Sequence, residues 1–339
     1  MDMKRIITVL FLALFFAHQL FITSAAGRIG VCYGTVADNL PSPKEVISLY
    51  QRNGIQMVRL FAPTPQILEA LRGTGILVAL GTLNEDLASL SSSQDAANSW
   101  VATNIVPYKD DVKFGWVTAG NEVIPGPLAQ YVPGAMTNLY NALVNIGLDQ
   151  IKVTTVVHAF VLGTSYPPSA GAFSPEVIEV MTQVSALVKS YGAPLMINVY
   201  PYFAYADNPE YISLEYALFT STTPVVVDGD LKYYNLFDAM VDSFNAALEK
   251  IGMSDVNIAV SESGWPSAGN EPYTSVDNAK AYNTNLVKHA SNGGTPRRPD
   301  HHYDTFLFSI FNENLKQPAG VEQNFGLYYP NMNPVYPLF

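Results

Sequence analysis

Asn235-Leu236-Phe237-Asp238-Ala239-Met240-Val241-Asp242-Ser243-Phe244-Asn245-Ala246-Ala247-Leu248 is the stretch on which the fold turns. Its apolar residues recur at three- and four-residue spacing, the period of a helix with one buried face. Gly252 follows, where a left-handed helix end needs no Cβ. Residues 256–261 then form a short apolar, β-branched run that reads as a strand. The same alternation runs along the chain. Strands are expected at 28–34, 56–62, 76–82, 113–119, 151–158, 194–200, 256–261 and 304–311. Helix-like stretches lie between them, for example 43–52, 65–72, 95–106, 135–146, 175–190, 235–250 and 276–290.

Each strand run is continuously apolar rather than alternating, as expected of a parallel sheet covered by helices. Eight such units in one chain predict an α/β fold of the (β/α)8 TIM-barrel type. An open doubly wound sheet would carry a Gly-rich phosphate turn after its first strand, and Gly30-Val31-Cys32-Tyr33-Gly34 lacks that spacing. Residues 203–234, rich in Tyr, Pro and Asp, read as a small subdomain inserted between the sixth strand and its helix. Residues 27–339 are expected to form a single domain.

Composition narrows the function. The 339 residues carry 18 Lys+Arg against 29 Asp+Glu, a formal charge of −11, with 48 % hydrophobic residues. A disordered chain would be less apolar and more charged. The acidic balance argues against nucleic acid or an anionic membrane surface as partner. The single cysteine, Cys32, excludes an intrachain disulfide and a Cys-cluster zinc site; it falls in a strand and reads as a buried structural thiol. Residues 1–26 place Lys4 and Arg5 before an apolar run, Ile6 to Phe16, and end in Ser24-Ala25-Ala26, the pattern of a secretory signal peptide. A secreted chain, extracellular or in the cell wall, is therefore expected.

A parallel barrel works at the carboxyl ends of its strands. The fourth strand runs into Gly120-Asn121-Glu122-Val123, the seventh into Glu262-Ser263-Gly264-Trp265-Pro266-Ser267, and the eighth into Phe311-Asn312-Glu313-Asn314-Leu315-Lys316. Three strand ends thus carry glutamates in a chain of which only 14 % is charged. Two such carboxyls suit glycoside hydrolysis, one protonating the leaving oxygen and the other meeting the oxocarbenium ion. The Asn121 amide could hold a sugar 2-hydroxyl, and the Trp265 ring could stack on a sugar. His301-His302 with Asp304 is set aside as a metal site, because adjacent strand residues point opposite ways. No cofactor is signalled.

These three blocks resemble plant endo-β-1,3-glucanases of glycoside hydrolase family 17. So do Gly163-Thr164-Ser165-Tyr166-Pro167-Pro168-Ser169, Asn198-Val199-Tyr200-Pro201-Tyr202 and Asn324-Phe325-Gly326-Leu327. The resemblance implies Glu262 as nucleophile, Glu122 as acid/base, and Glu313 with Lys316 as an accessory pair near the acid. It also implies retention of anomeric configuration, with carboxyls about 5–5.5 Å apart, and a linear β-1,3-glucan (laminarin, callose or fungal wall glucan) cut internally, in defence or wall remodelling. Tyr33, Tyr200, Tyr202, Phe203, Trp265, Phe311 and Phe325 fall at or just past strand ends and are the expected sugar-stacking rings. A monomer is expected. Phe61 stands where the family carries a tyrosine, and His158-Ala159-Phe160 after the fifth strand matches no family pattern. Mixed-linkage β-1,3;1,4-glucan cleavage, or glucan binding with weakened catalysis, are the alternative readings.

Overall fold

The computed structural model describes residues 27–339; the expected signal peptide lies outside them. Eight parallel strands close into a barrel. They are β1 (Ile29–Tyr33), β2 (Met57–Leu60), β3 (Leu77–Gly81), β4 (Lys113–Asn121), β5 (Lys152–His158), β6 (Leu195–Asn198), β7 (Ile258–Ser263) and β8 (Thr305–Leu307). Each falls where the sequence places one. β1 closes the cylinder by pairing with β2 on one side, Val31 opposite Val58, and with β8 on the other, Val31 opposite Leu307. With side chains packed inside and helices outside, β2, β3 and β7 are buried at every position, which explains their unbroken apolar runs.

The helices follow the same logic. Helix Leu236–Lys250 buries Phe237, Val241, Phe244 and Leu248, and Asn235 caps it by accepting the Asp238 N–H at 2.8 Å. Helix Ile178–Tyr191 ends at Gly192 with φ 63°, a left-handed turn open to glycine at no steric cost. An additional short helix, Leu87–Ser92, precedes helix Gln94–Asn104. At six residues, with Leu87 and Leu90 its buried positions, it is too short for a repeating pattern to announce it.

Between β6 and helix Leu236–Lys250 lie two short helices, Pro201–Asp207 and Leu214–Ala217, and an antiparallel hairpin, Val226–Asp228 with Leu231–Tyr233. Tyr216, Tyr233 and Ala239 form a small buried cluster of their own there. Asp228 accepts the Ser169 N–H at 2.6 Å and the Ser169 hydroxyl at 2.7 Å, tying this insert to the segment that follows β5. Cys32 is buried in β1, where its Sγ–H donates to the Ser261 carbonyl at 3.3 Å and burial pushes the thiol pKa up.

Three register shifts interrupt the parallel ladders at the carboxyl ends of β4 and β7. They lie between Thr118 and Asn121 against β5, between Val260 and Glu262 against β6, and between Val260 and Ser263 against β8. An irregularity of this kind bends a strand and re-aims the side chains beyond it. Among the described residues, no helix is long and apolar enough to cross a membrane.

Helix Val276–Asn292 starts at Ser275, whose hydroxyl accepts the Asn278 N–H at 3.0 Å. Ser275→Ala therefore costs about 1 kcal/mol of stability, measured as a lower urea midpoint with an unchanged slope.

Candidate active site

A cleft of about 810 Å³ opens at the carboxyl ends of the strands. Glu122 and Glu262 both line it. Glu262 lies within β7 and is only 6 % exposed. A carboxylate buried to that depth needs a partner. Arg59 of β2 supplies it: the guanidinium, itself 1 % exposed, donates through Nη1 to Glu262 Oε1. Arg59 Nη2 donates to Asn121 Oδ1 at 2.7 Å. The other carboxyl oxygen, Glu262 Oε2, accepts the Tyr200 hydroxyl proton at 2.7 Å. Both oxygens of Glu262 are thereby fixed in direction.

Glu122 stands in a different environment. It is exposed to the cleft, and its cleft partner is neutral: Asn198 Nδ2–H donates to Glu122 Oε1 at 2.8 Å. Burial of the carboxyl, followed by the charge of Glu262, raises the Glu122 pKa, against the opposing pull of the Asn198 amide and Arg59. The backbone of Glu122 has φ 55°, uncommon for a residue with a Cβ. Its N–H donates to the Val156 carbonyl of β5 at 2.9 Å, which holds this conformation. Asn198 also accepts from the Ser261 hydroxyl at 2.7 Å, joining the Glu122 side of the cleft to β7.

Of the other expected residues, Asn121, Tyr200, Phe203, Phe325, Glu313 and Lys316 line the cleft. Since Asn121 Oδ1 faces Arg59, its NH2 group remains for a ligand. Glu313 accepts the Val36 N–H at 2.8 Å, and burial raises its pKa. Its carboxyl occupies the space that a Cβ on Gly34 would take, so only glycine at position 34 allows it there. Lys316 pairs with Glu322 at 3.8 Å, and its ammonium lies 4.2 Å from the centre of the Phe308 ring. Among the described residues Lys316 has Glu322, and not Glu313, as its ion-pair partner.

Four expected stacking rings are elsewhere. Tyr33, Tyr202, Trp265 and Phe311 are at most 3 % exposed and lie outside the cleft lining, which corrects the expectation that they meet sugar. Trp265 packs among Tyr202, Tyr205 and Tyr282, and its indole N–H donates to the Tyr273 carbonyl at 3.1 Å. Large rings buried in this way contribute to the core beneath the cleft. Burial alone lifts the Tyr33 phenol to about 12. Arg59, Asn198 and Glu322 were missed by sequence reasoning. The signal for the first two was a polar residue in an otherwise apolar run, Met57-Val58-Arg59-Leu60 and Leu195-Met196-Ile197-Asn198.

Removing one partner of this ion pair costs more than removing both. Arg59→Met leaves Glu262 buried beside no cation and costs about 3–5 kcal/mol, whereas Arg59→Met with Glu262→Gln regains much of that loss. Urea unfolding of the two single variants and the double variant reads the coupling directly.

Residues 29–338 match the family model of glycosyl hydrolases family 17. A probable glucan endo-1,3-beta-glucosidase of Arabidopsis thaliana, BG5, is 48 % identical over 310 residues, covering 91 % of this chain and 87 % of that protein. Lichenase-2 of Hordeum vulgare is also 48 % identical over 310 residues, covering 91 % and 97 %. A solved β-1,3-glucanase and allergen of Cryptomeria japonica pollen is 44 % identical with a TM-score of 0.89, covering 92 % of this chain and 98 % of that one. With nearly its whole described length matched, and a barrel that superposes on a solved relative, the chain belongs to glycosyl hydrolases family 17.

Proposed function

We propose that this protein is a retaining endo-hydrolase of β-1,3-glucosidic bonds in linear glucans. The observation that supports this most is the contrast between two carboxyls in one cleft: Glu262 held against the Arg59 guanidinium, Glu122 against the neutral Asn198 amide. Retaining hydrolysis needs one carboxylate as nucleophile and one protonated carboxyl as acid. In this reading Glu122 gives its proton to the glycosidic oxygen as the bond to the anomeric carbon breaks. Glu262 forms the new bond on the opposite face, giving a glycosyl ester. Water, deprotonated by Glu122, then attacks the same carbon and releases Glu262. Arg59 and Tyr200 favour departure of Glu262 in that second step, since both stabilise the carboxylate that forms. The Asn121 NH2 group is the donor we assign to the 2-hydroxyl.

The same reading takes residues 1–26 as a cleaved leader and places the enzyme outside the cell or in the wall. It acts there as a monomer, in defence or wall remodelling, and residues 27–339 work as one domain. The equal likeness to Lichenase-2 supports mixed-linkage β-1,3;1,4-glucan as a second substrate reading. Comparing reducing-sugar release from laminarin and from barley β-glucan separates the two.

Glu122→Gln and Glu262→Ala each lower kcat on laminarin by at least about 10²–10⁴-fold, and Glu262→Ala also lowers stability because the buried Arg59 loses its counter-ion. Proton NMR of the first products shows β-configured reducing ends; α products would assign an inverting mechanism and end this reading. The pH profile tests the acid. The Asn198 amide stabilises ionised Glu122, so Asn198→Ala raises the Glu122 pKa further. The protonated acid then persists to higher pH, and the alkaline limb of kcat/KM moves upward.

A further inference from the structure

At the end of β5 the cleft carries a pair of side chains that two-carboxylate chemistry does not use. The chain passes from His158 through the turn Ala159–Val161 into the short strand Leu162–Thr164. His158 Nδ1 accepts the Phe160 N–H at 3.1 Å. The neutral imidazole therefore carries its proton on Nε2, and burial favours that neutral form by lowering the pKa. Val161 is fully buried, and its carbonyl accepts the Ser174 N–H at 2.9 Å. The turn is thus anchored at both ends. The Phe160 ring meets the His158 ring edge-on at 4.6 Å and 89° and is 77 % exposed. Both side chains line the cleft, together with the 39 % exposed ring of Phe203 and with Asp207.

A lone exposed phenylalanine needs no explanation. One fixed by a capped turn on the wall of a cleft, beside a positioned N–H donor, is a preorganised surface. Its chemistry is apolar face plus neutral donor. Lys316, the cleft's lysine, lies with Glu313 and Glu322 in the loop after β8, on the other side of the barrel mouth. A pyranose matches the surface near β5, with C–H groups on its face and hydroxyls at its rim.

We infer that His158 and Phe160 form a sugar subsite remote from the cleaved bond, the Phe160 ring stacking on one glucosyl unit and His158 Nε2–H donating to a hydroxyl of that unit. The inference rests on the β-glucan reading above and adds to it a determinant of chain length. β5 is next to β4, which presents Glu122, yet neither side chain bonds to either carboxyl. They are binding residues for a longer chain and take no part in the chemistry.

The test is kinetic, with kcat and KM measured separately on β-1,3-gluco-oligosaccharides of increasing length. Phe160→Ala raises KM about 10-fold on oligosaccharides long enough to reach the turn and leaves the shortest cleaved oligosaccharide unchanged. Phe160→Trp retains the long-chain advantage. His158→Asn keeps an acceptor for the Phe160 N–H but withdraws the donor, and raises the long-chain KM about 3-fold. Equal losses at every length, or no loss, overturn the subsite. Calorimetric titration of laminarihexaose reads the subsite without turnover: unchanged affinity in Phe160→Ala also overturns it. If the parent protein binds laminarihexaose through Phe160 but cleaves no glucan, the hydrolase reading fails while the subsite stands.

Discussion

A charge buried in the barrel mouth must be matched by another, and the Arg59–Glu262 pair meets that demand. It joins β2 to β7 across the barrel and reaches β4 through Asn121. Such a pair contributes little net stability, because desolvation of both ions offsets their attraction. Its consequence is direction. With one oxygen on Arg59 and the other on Tyr200, the Glu262 carboxyl is fixed before any ligand arrives, so little reorganisation is left for the reaction.

The second carboxyl is shaped by the opposite principle. Glu122 has an amide where Glu262 has a cation, and burial then favours its protonated form. Backbone geometry places both. The register shifts before Asn121 and before Glu262 re-aim side chains that regular strands would alternate in and out of the barrel. The positive φ of Glu122 adds a local conformational cost of about 1–3 kcal/mol, which the hydrogen bond to Val156 and the surrounding barrel sustain. The enzyme reading thus depends on irregularities confined to the ends of otherwise regular strands.

The aromatic residues divide by depth. Tyr202, Trp265 and Tyr282 pack beneath the cleft floor, while Tyr200, Phe203 and Phe325 line its surface. Phe61, where a hydroxyl-bearing ring was expected, lines the cleft under the Arg59 guanidinium, 4.4 Å from it. A ring without a hydroxyl there supports the cation and offers no hydrogen bond to ligand.

The eight strands, most of the helices between them and the two glutamates are legible in the sequence, because each follows from a local pattern: a continuous apolar run, a 3.6-residue period, a carboxylate at a strand end. Arg59 and Asn198 were visible only as polar breaks in apolar runs; nothing local says that one meets Glu262 of β7 and the other Glu122 just past β4. Nor does position past a strand end separate Trp265, sealed in the core, from Phe160, open to the cleft. Those distinctions were decided by the tertiary structure, since burial and partner are properties of strands that are distant in the chain and adjacent only once the barrel closes.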